Sequence, residues 1–270
     1  MQTEELNRIC DELIRISREV GKFIKHEQSR LGSQNIEEKG KNDFVTYVDK
    51  ASETLLVSEL SALLPGCGFI TEEETIEQEE KEFRWVIDPI DGTTNFIHGL
   101  PLYSISIALM HFEEIVMGLV LEVSNDECFY AVKGGPAYLN GKEIKVSNRS
   151  MLSDSLIVTG FPYRDEGRLE AWMNLFLYLI RNSHGVRRLG SAAIDLAYVA
   201  CGRFEAFYEY GLSAWDVAAG GFIVKQAGGT VTDFSGDNAW LFGRELIAGN
   251  GKMNEELRQV LLEKFTEINH

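Results

Sequence analysis

The stretch WVIDPIDGTTNF, residues 85–96, places two aspartates, Asp88 and Asp91, three positions apart around Pro89. An apolar run leads into Asp88, so RWVID predicts a buried strand that ends on a charge. Two neighbouring carboxylates repel, and each is expensive to desolvate unless something cationic compensates. Pro89 disfavours helical geometry at Asp88 and fixes the turn, which forces the Ile90 carbonyl out of any regular ladder. Asp88, the Ile90 carbonyl and Asp91 would then offer three oxygens to one region. Such a donor set suits a hard divalent cation, with Mg²⁺ the usual choice when phosphate is also a ligand. Gly92, Thr93 and Thr94 follow and could open a short helix whose free N–H groups face the same region, a site for an anion. Taken alone, the motif reads equally well as a loop turn with solvated aspartates.

Other carboxylates stand at element ends. Glu72 follows the apolar run GFIT, Asp49 lies in VTYVDK at the start of a helix, and Asp216 follows Trp215 at the start of another. Each has a plainer reading: a solvated glutamate run for Glu72, a surface helix position for Asp49, favourable charge in a first helical turn for Asp216. Nothing in the spacing shows that they converge.

The elements that must position these residues are legible from periodicity. Glu4 to Lys25 carries Leu6, Ile9, Leu13, Ile16, Val20, Phe23 and Ile24 at helical spacing. SRLGSQNIEEKGKNDF reads as a mobile loop, and DFVTYVDKASETLLVSELSALLPG as a second helix stopped by Pro65-Gly66. EEETIEQEEKEF is an acidic loop. YSISIALM, EIVMGLVLEV and ECFYAV are short β-rich runs of an antiparallel meander, with another hairpin at Asn140-Gly141. After Ser153 the pattern becomes strand, helix, strand, turn, helix, strand, helix, strand and a closing helix NEELRQVLLEKF. Stacked α and β layers of a mixed α/β (α+β) fold follow, as a single compact unit: a lobe of residues 1–150 carrying the motifs, and a lobe of 151–270 completing the cleft.

The 270 residues carry a formal net charge of −16. That argues against nonspecific binding to nucleic acid or to anionic membranes, and an anionic substrate would need local positive charge at its site. No apolar run is long enough for a membrane span, and the N-terminus lacks the pattern of a secretory signal. Cys10, Cys67, Cys128 and Cys201 lie far apart without a CxxC pair, as expected of reduced thiols in a cytoplasmic protein.

GFITEEE, WVIDPIDGTTNFIHGLP, GSAAIDLAYVACGR and AWDVAAGGFIVKQAGG, in this order, resemble the inositol monophosphatase family over about residues 5–265. The resemblance implies the layered αβαβα sugar-phosphatase fold, a homodimer and a Mg²⁺-dependent, lithium-sensitive phosphomonoesterase. It implies one metal held by Glu72, Asp88 and the Ile90 carbonyl, and a second held by Asp88, Asp91 and Asp216. A third, largely water-bound, would lie near Glu72. Thr93 and Asp49 would orient and help deprotonate the attacking water, so that Thr93, Asp49 and Glu72 form the catalytic set. Gly92, Thr93 and Thr94 would hold phosphate, while Asp91, Ser191, Ala192, Glu209 and Asp216 would meet the polyol. The loop around Lys39 to Asn42 corresponds to the family's mobile segment over the site.

DGTTNF is similar to the inositol monophosphatase branch, which points to inositol-1-phosphate or a similar polyol or sugar monophosphate. Sister branches act as fructose-1,6-bisphosphatases, nucleotide 3′-phosphatases and histidinol-phosphate phosphatases. Some bacterial members are linked to RNA processing and transcription complexes, for which Arg187-Arg188 could be a surface. A strand end pairing with nearby acids or with a second copy is the plainer reading of that pair.

Overall fold

The computed structural model describes residues 2–30, 36–40, 43–163 and 166–266. Helix α1 (Thr3–Gln28) turns Leu6, Ile9, Leu13, Ile16, Val20 and Ile24 inward along one stripe, as their spacing requires. Strands β1 (Ile36–Gly40) and β2 (Asp43–Thr46) pair antiparallel and lead into α2 (Tyr47–Leu63). This corrects two expectations. The stretch read as loop contains a hairpin, and α2 begins at Tyr47 rather than Asp43. Cross-strand pairing supplies backbone partners that local polarity does not reveal, and Phe44-Val45-Thr46 is a β-favouring run. Lys41 and Asn42, within the segment assigned to the mobile loop, lie outside the described residues.

Both helices cover one face of a seven-stranded sheet. Its members are β3 (Gly68–Thr71), β4 (Phe83–Asp91), β5 (Ser104–His111), β6 (Glu114–Glu122), β7 (Glu127–Val132), β8 (Ala137–Leu139) and β9 (Lys142–Ile144), in that order. Only β3 and β4 run parallel; the rest form the expected meander. The short helix α3 (Thr93–Ile97) sits between β4 and β5. At the β8–β9 turn Asn140 and Gly141 both take positive φ, 48° and 80°, the pair of left-handed residues that a tight hairpin demands.

The second sheet contains β10 (Leu156–Thr159), β11 (Gly185–Arg187), β12 (Ala206–Tyr210), β13 (Gly229–Thr232) and β14 (Glu245–Asn250), in the order β11-β10-β12-β14-β13. β13 has no counterpart in the sequence reading, because four residues between glycines give too short a pattern. Helices α5 (Ala192–Ala200) and α6 (Ala214–Gln226) pack against each other between the two sheets, while α4 (Leu169–Asn182) and α7 (Gly251–Thr266) cover the outer face. The result is the αβαβα layering that the resemblance implied.

The central layer is thin because it is made of small residues. A Cβ on Gly118 of β6 would lie 2.8 Å from the Ala219 carbonyl oxygen of α6, and one on Gly220 would lie 2.6 Å from Leu196 Cβ of α5. Glycine at both places lets sheet and helices approach closely, which brings residues of α5 and α6 to the end of β4.

Candidate active site

β4 pairs with β5 through Asp88↔Ser106 and then Asp91↔Ser104, so β4 carries one extra residue and bulges between the two aspartates. The Ile90 carbonyl consequently leaves the ladder and lies 2.9 Å from Thr93 Oγ1, as Pro89 predicted. Gly92 adopts φ +96°, and a Cβ there would meet the Leu102 and Gly190 carbonyl oxygens at 3.0 and 3.1 Å. Only glycine turns the chain here into α3.

Each remaining carboxylate is delivered by its own element. Thr46 caps α2, and its N–H and hydroxyl donate to Asp49 Oδ2 at 2.8 and 2.6 Å; Asp49 Oδ1 lies 3.1 Å from Thr93 Oγ1. Asp91 Oδ2 accepts from Ser191 Oγ at 2.7 Å and from Ala193 N at 2.6 Å. Its charge thereby rests on the N-terminus of α5, where backbone N–H groups are unpaired and the dipole favours an anion. Asp216 closes a capping box on α6, accepting from Ser213 N at 2.7 Å. Glu209 projects from β12, and Glu72 follows β3 and shares a hydrogen bond with Asp88.

These residues converge. Glu72, Asp88, Ile90, Asp91, Gly92, Thr93, Thr94, Ser191, Ala192, Glu209 and Asp216 line one cavity of about 210 Å³, with Asp49 behind Thr93. Carboxylate oxygens of Asp88, Asp91 and Asp216 lie within 4.8 Å of one another.

Electrostatics explain what the cluster lacks. Burial pushes the Asp88 carboxyl well above the ordinary aspartate range, and the charges of Glu72, Asp91 and Asp216 push further. Burial also raises Asp91, against the opposing hydrogen bonds from Ser191, Ala193 and Ala192. Glu209 rises to about 8, through burial first and the Asp216 charge next, with Arg188 opposing. Every shift comes first from burial, and Arg188 is the one cationic side chain among the lining residues. The donors are all oxygen, with no histidine or thiol among them, which fits a hard divalent ion such as Mg²⁺ and not a softer metal.

Two neighbours, Asp195 and Glu53, were not singled out from the sequence, and a third, Arg188, was read only as a surface residue. Asp195, one turn into α5, is buried and lines the cavity, and its Oδ1 has no hydrogen-bond partner among the described residues. An acid set among Ala, Ile and Leu was its available signal. Arg188 parts from its neighbour: Arg187 ends β11 and bonds the Val186 carbonyl, whereas Arg188 turns into the cavity over the Phe161 and Tyr163 rings, 5.6 Å from each centroid. Both arginines are exposed, and Arg188 also borders the cavity. Glu53, fully buried on α2, accepts from Glu73 N at 2.7 Å, Thr75 N at 2.8 Å and Thr75 Oγ1 at 2.7 Å. It ties down the segment that follows Glu72. A carboxylate on the apolar face of α2, one turn after Asp49, was its signal.

Layered αβαβα architecture with an acid-lined cleft between its sheets defines a phosphoric monoester hydrolase of the sugar-phosphatase class. Within that class the chain belongs to the inositol monophosphatase family, whose model matches residues 5–270. It is 41% identical over 244 residues to the Nus factor SuhB of Pseudomonas aeruginosa, covering 88% of this chain and 90% of that protein. It is 38% identical over 239 residues to an inositol-1-monophosphatase of Mesorhizobium japonicum, again covering 88% and 90%. The solved Thermotoga maritima IMPase superimposes with a TM-score of 0.88 at 36% identity, over 96% of this chain and 98% of that one.

Proposed function

We propose that this chain is a Mg²⁺-dependent phosphomonoesterase acting on inositol-1-phosphate or a similar polyol or sugar monophosphate. The observation that carries the reading is the convergence of Glu72, Asp88, Asp91 and Asp216 on one cavity beside the Thr93–Asp49 pair. Glu72, Asp88 and the Ile90 carbonyl would hold one Mg²⁺, and Asp88, Asp91 and Asp216 a second, with Glu72 flanking a third. When bound, the ions supply Lewis acidity at the phosphoryl oxygens and an acidified water.

The chain's own groups do the rest. Gly92, Thr93 and Thr94 hold the phosphate by backbone and hydroxyl donors, where phosphoryl transfer needs charge neutralised. Thr93 Oγ1 accepts a proton of the attacking water while donating to Asp49, whose burial raises its affinity for that proton. Asp216 polarises the proton donor to the leaving alkoxide. Asp91, Ser191, Ala192, Glu209 and Asp216 receive the polyol hydroxyls. The displacement is in-line and direct, without a covalent phosphoenzyme. Residues 1–150 and 151–270 act as the two lobes of one unit, and lithium inhibits.

The test is phosphate release with and without Mg²⁺ on inositol-1-phosphate, fructose-1,6-bisphosphate, 3′-phosphoadenosine 5′-phosphate and histidinol phosphate. Metal-dependent turnover led by inositol-1-phosphate is expected. An Asp88→Asn enzyme retaining activity within a few-fold of wild type would sink the metal assignment.

The enzyme works as a cytoplasmic homodimer. Support for the cytoplasm comes from the four cysteines, all unpaired, and no helix among the described residues is long and apolar enough to cross a membrane. Support for the dimer comes from α4, where Leu169, Met173, Leu177 and Ile180 form a stripe at helical spacing, 38–49% exposed. Met173→Lys with Leu177→Lys should halve the mass seen by light scattering; an unchanged mass would place the interface elsewhere. The Pseudomonas relative, a Nus factor, favours one additional reading, a role within transcription complexes. Binding of the Asp88→Asn protein to such a complex would separate that role from catalysis.

A further inference from the structure

We propose that Gly160 is a specificity-determining residue: its bare backbone is the slot in which the Glu209 carboxylate stands within the polyol pocket. The inference rests on Glu209 being a polyol-binding group, as argued above. A Cβ built on Gly160 would lie 2.0 Å from Glu209 Cδ, 2.0 Å from Oε1 and 2.1 Å from Oε2. Those separations are far inside van der Waals contact, so a side chain at 160 and the present place of Glu209 exclude each other.

Backbone strain does not account for this glycine. Gly160 is not among the glycines with positive φ, unlike Gly92 at +96°. An alanine could adopt its conformation, so the room left for Glu209 is the remaining reason for a bare position. Nor can the strand retreat. Thr159 pairs with Tyr208 in the parallel β10–β12 register, and its hydroxyl donates to the Tyr208 carbonyl at 2.7 Å. Gly160 directly follows the last residue of β10 and Glu209 directly follows Tyr208 on β12, so the Thr159–Tyr208 pairing holds the two side by side.

What yields instead is the tip of Glu209. Among the described residues its carboxylate has no protein hydrogen-bond donor, although it lines the cavity beside Gly160. No donor among the described residues holds it, so the slot beside Gly160 sets its place and leaves it facing the substrate. The ligand class that this serves is a phosphate ester of a polyol carrying a free hydroxyl near the ester carbon. A bulkier residue at 160 would turn the acceptor away from that hydroxyl while leaving the four metal-facing carboxylates in place.

The experiment compares kcat/KM for inositol-1-phosphate with that for 4-nitrophenyl phosphate, which has no alcohol hydroxyl. Wild type, Gly160→Ala, Glu209→Ala and the double variant are assayed with Mg²⁺, and thermal unfolding is recorded for each. Each single change should lower the ratio of the two values by about ten- to a hundredfold, the worth of one hydrogen bond to a charged group. The double variant should fall no further than Glu209→Ala. A Gly160→Ala enzyme with the wild-type ratio would overturn the slot, and so would losses that multiply in the double variant. A Gly160→Ala chain that unfolds would mean that backbone rather than carboxylate gave way, which overturns it too. A wild type with no preference for the polyol ester would overturn both this inference and the reading of Glu209 beneath it.

Discussion

Replacing Glu53 by glutamine tests whether a residue remote from the cleft sets its geometry. The carboxylate of Glu53 receives three hydrogen bonds, one from Glu73 N and two from Thr75, and is fully buried. Between those anchors Glu74 takes a left-handed φ of 51°, which costs about 1 kcal/mol or more for a residue other than glycine and persists only where surroundings enforce it. An amide keeps the volume but holds only one oxygen. With that oxygen turned to the two donors of Thr75, the amide NH₂ faces the N–H of Glu73, donor against donor. One charge-assisted bond is lost and one backbone donor is left without a partner, for a total of roughly 2–3 kcal/mol.

Urea denaturation should show this as a lower midpoint at an unchanged slope. Glu72 precedes the released segment directly, so a second readout follows. The Mg²⁺ concentration for half-maximal phosphate release should rise about ten- to a hundredfold, as when the support of a metal ligand is removed. Equal stability in both proteins would refute the bonding argument. Lower stability with a Mg²⁺ midpoint within twofold of wild type would refute the link from Glu53 to Glu72.

Thr93→Ala removes the hydroxyl that lies 3.1 Å from Asp49 and 2.9 Å from the Ile90 carbonyl. Steady-state kinetics should show kcat lowered about 10²- to 10⁴-fold with KM nearly unchanged, and a fall of less than tenfold would remove Thr93 from the proton path. Burial pushes the Cys10 and Cys128 thiols up to about 12 from 9.0, so neither forms thiolate near neutrality in the folded chain. Both should resist alkylation at pH 8 until denaturant is added. The same shift stabilises the fold fully below pH 9 and is lost as pH climbs toward 12. Rapid native labelling of either thiol, read by mass spectrometry, would contradict their burial.

Local signals carried most of the architecture. The apolar run ending at Asp88, the proline after it and the Asn140-Gly141 turn each act within a few residues, and each produced the element expected. The hairpin at residues 36–46 and strand β13 failed because they owe their existence to partners across a sheet rather than to their own pattern. The site divided in the same way. Asp88, Asp91 and the Ile90 carbonyl belong to one bulge and could be grouped from spacing. Asp49, Glu72 and Asp216 stood out at element ends but were joined to the bulge only through the resemblance, which also supplied Glu209, since chain folding alone brings them together. Asp195 and Glu53 were overlooked because a buried acid in a helix looks like a surface acid until the packing is known, and Arg188 was read only as half of a surface pair, because its place beside the cavity depends on the chain's fold.

The origin of the ligands has a consequence for how the molecule keeps its shape. Asp88 and Asp91 come from the first sheet and Asp216 from a helix of the central layer, a long way down the chain. The ion proposed among them would act as a rivet between these two layers, and the self-repelling acids would make the riveted form much the better one. Since the unfolded chain offers no such site, ion binding adds to stability by mass action, about 2.7 kcal/mol at a hundredfold excess over Kd. On the proposed assignment of Mg²⁺ to this cluster, the resting strength of the protein would be indexed to the free Mg²⁺ around it. A fall in that level would then stop catalysis and release the clamp between the first sheet and the central helix layer at the same moment.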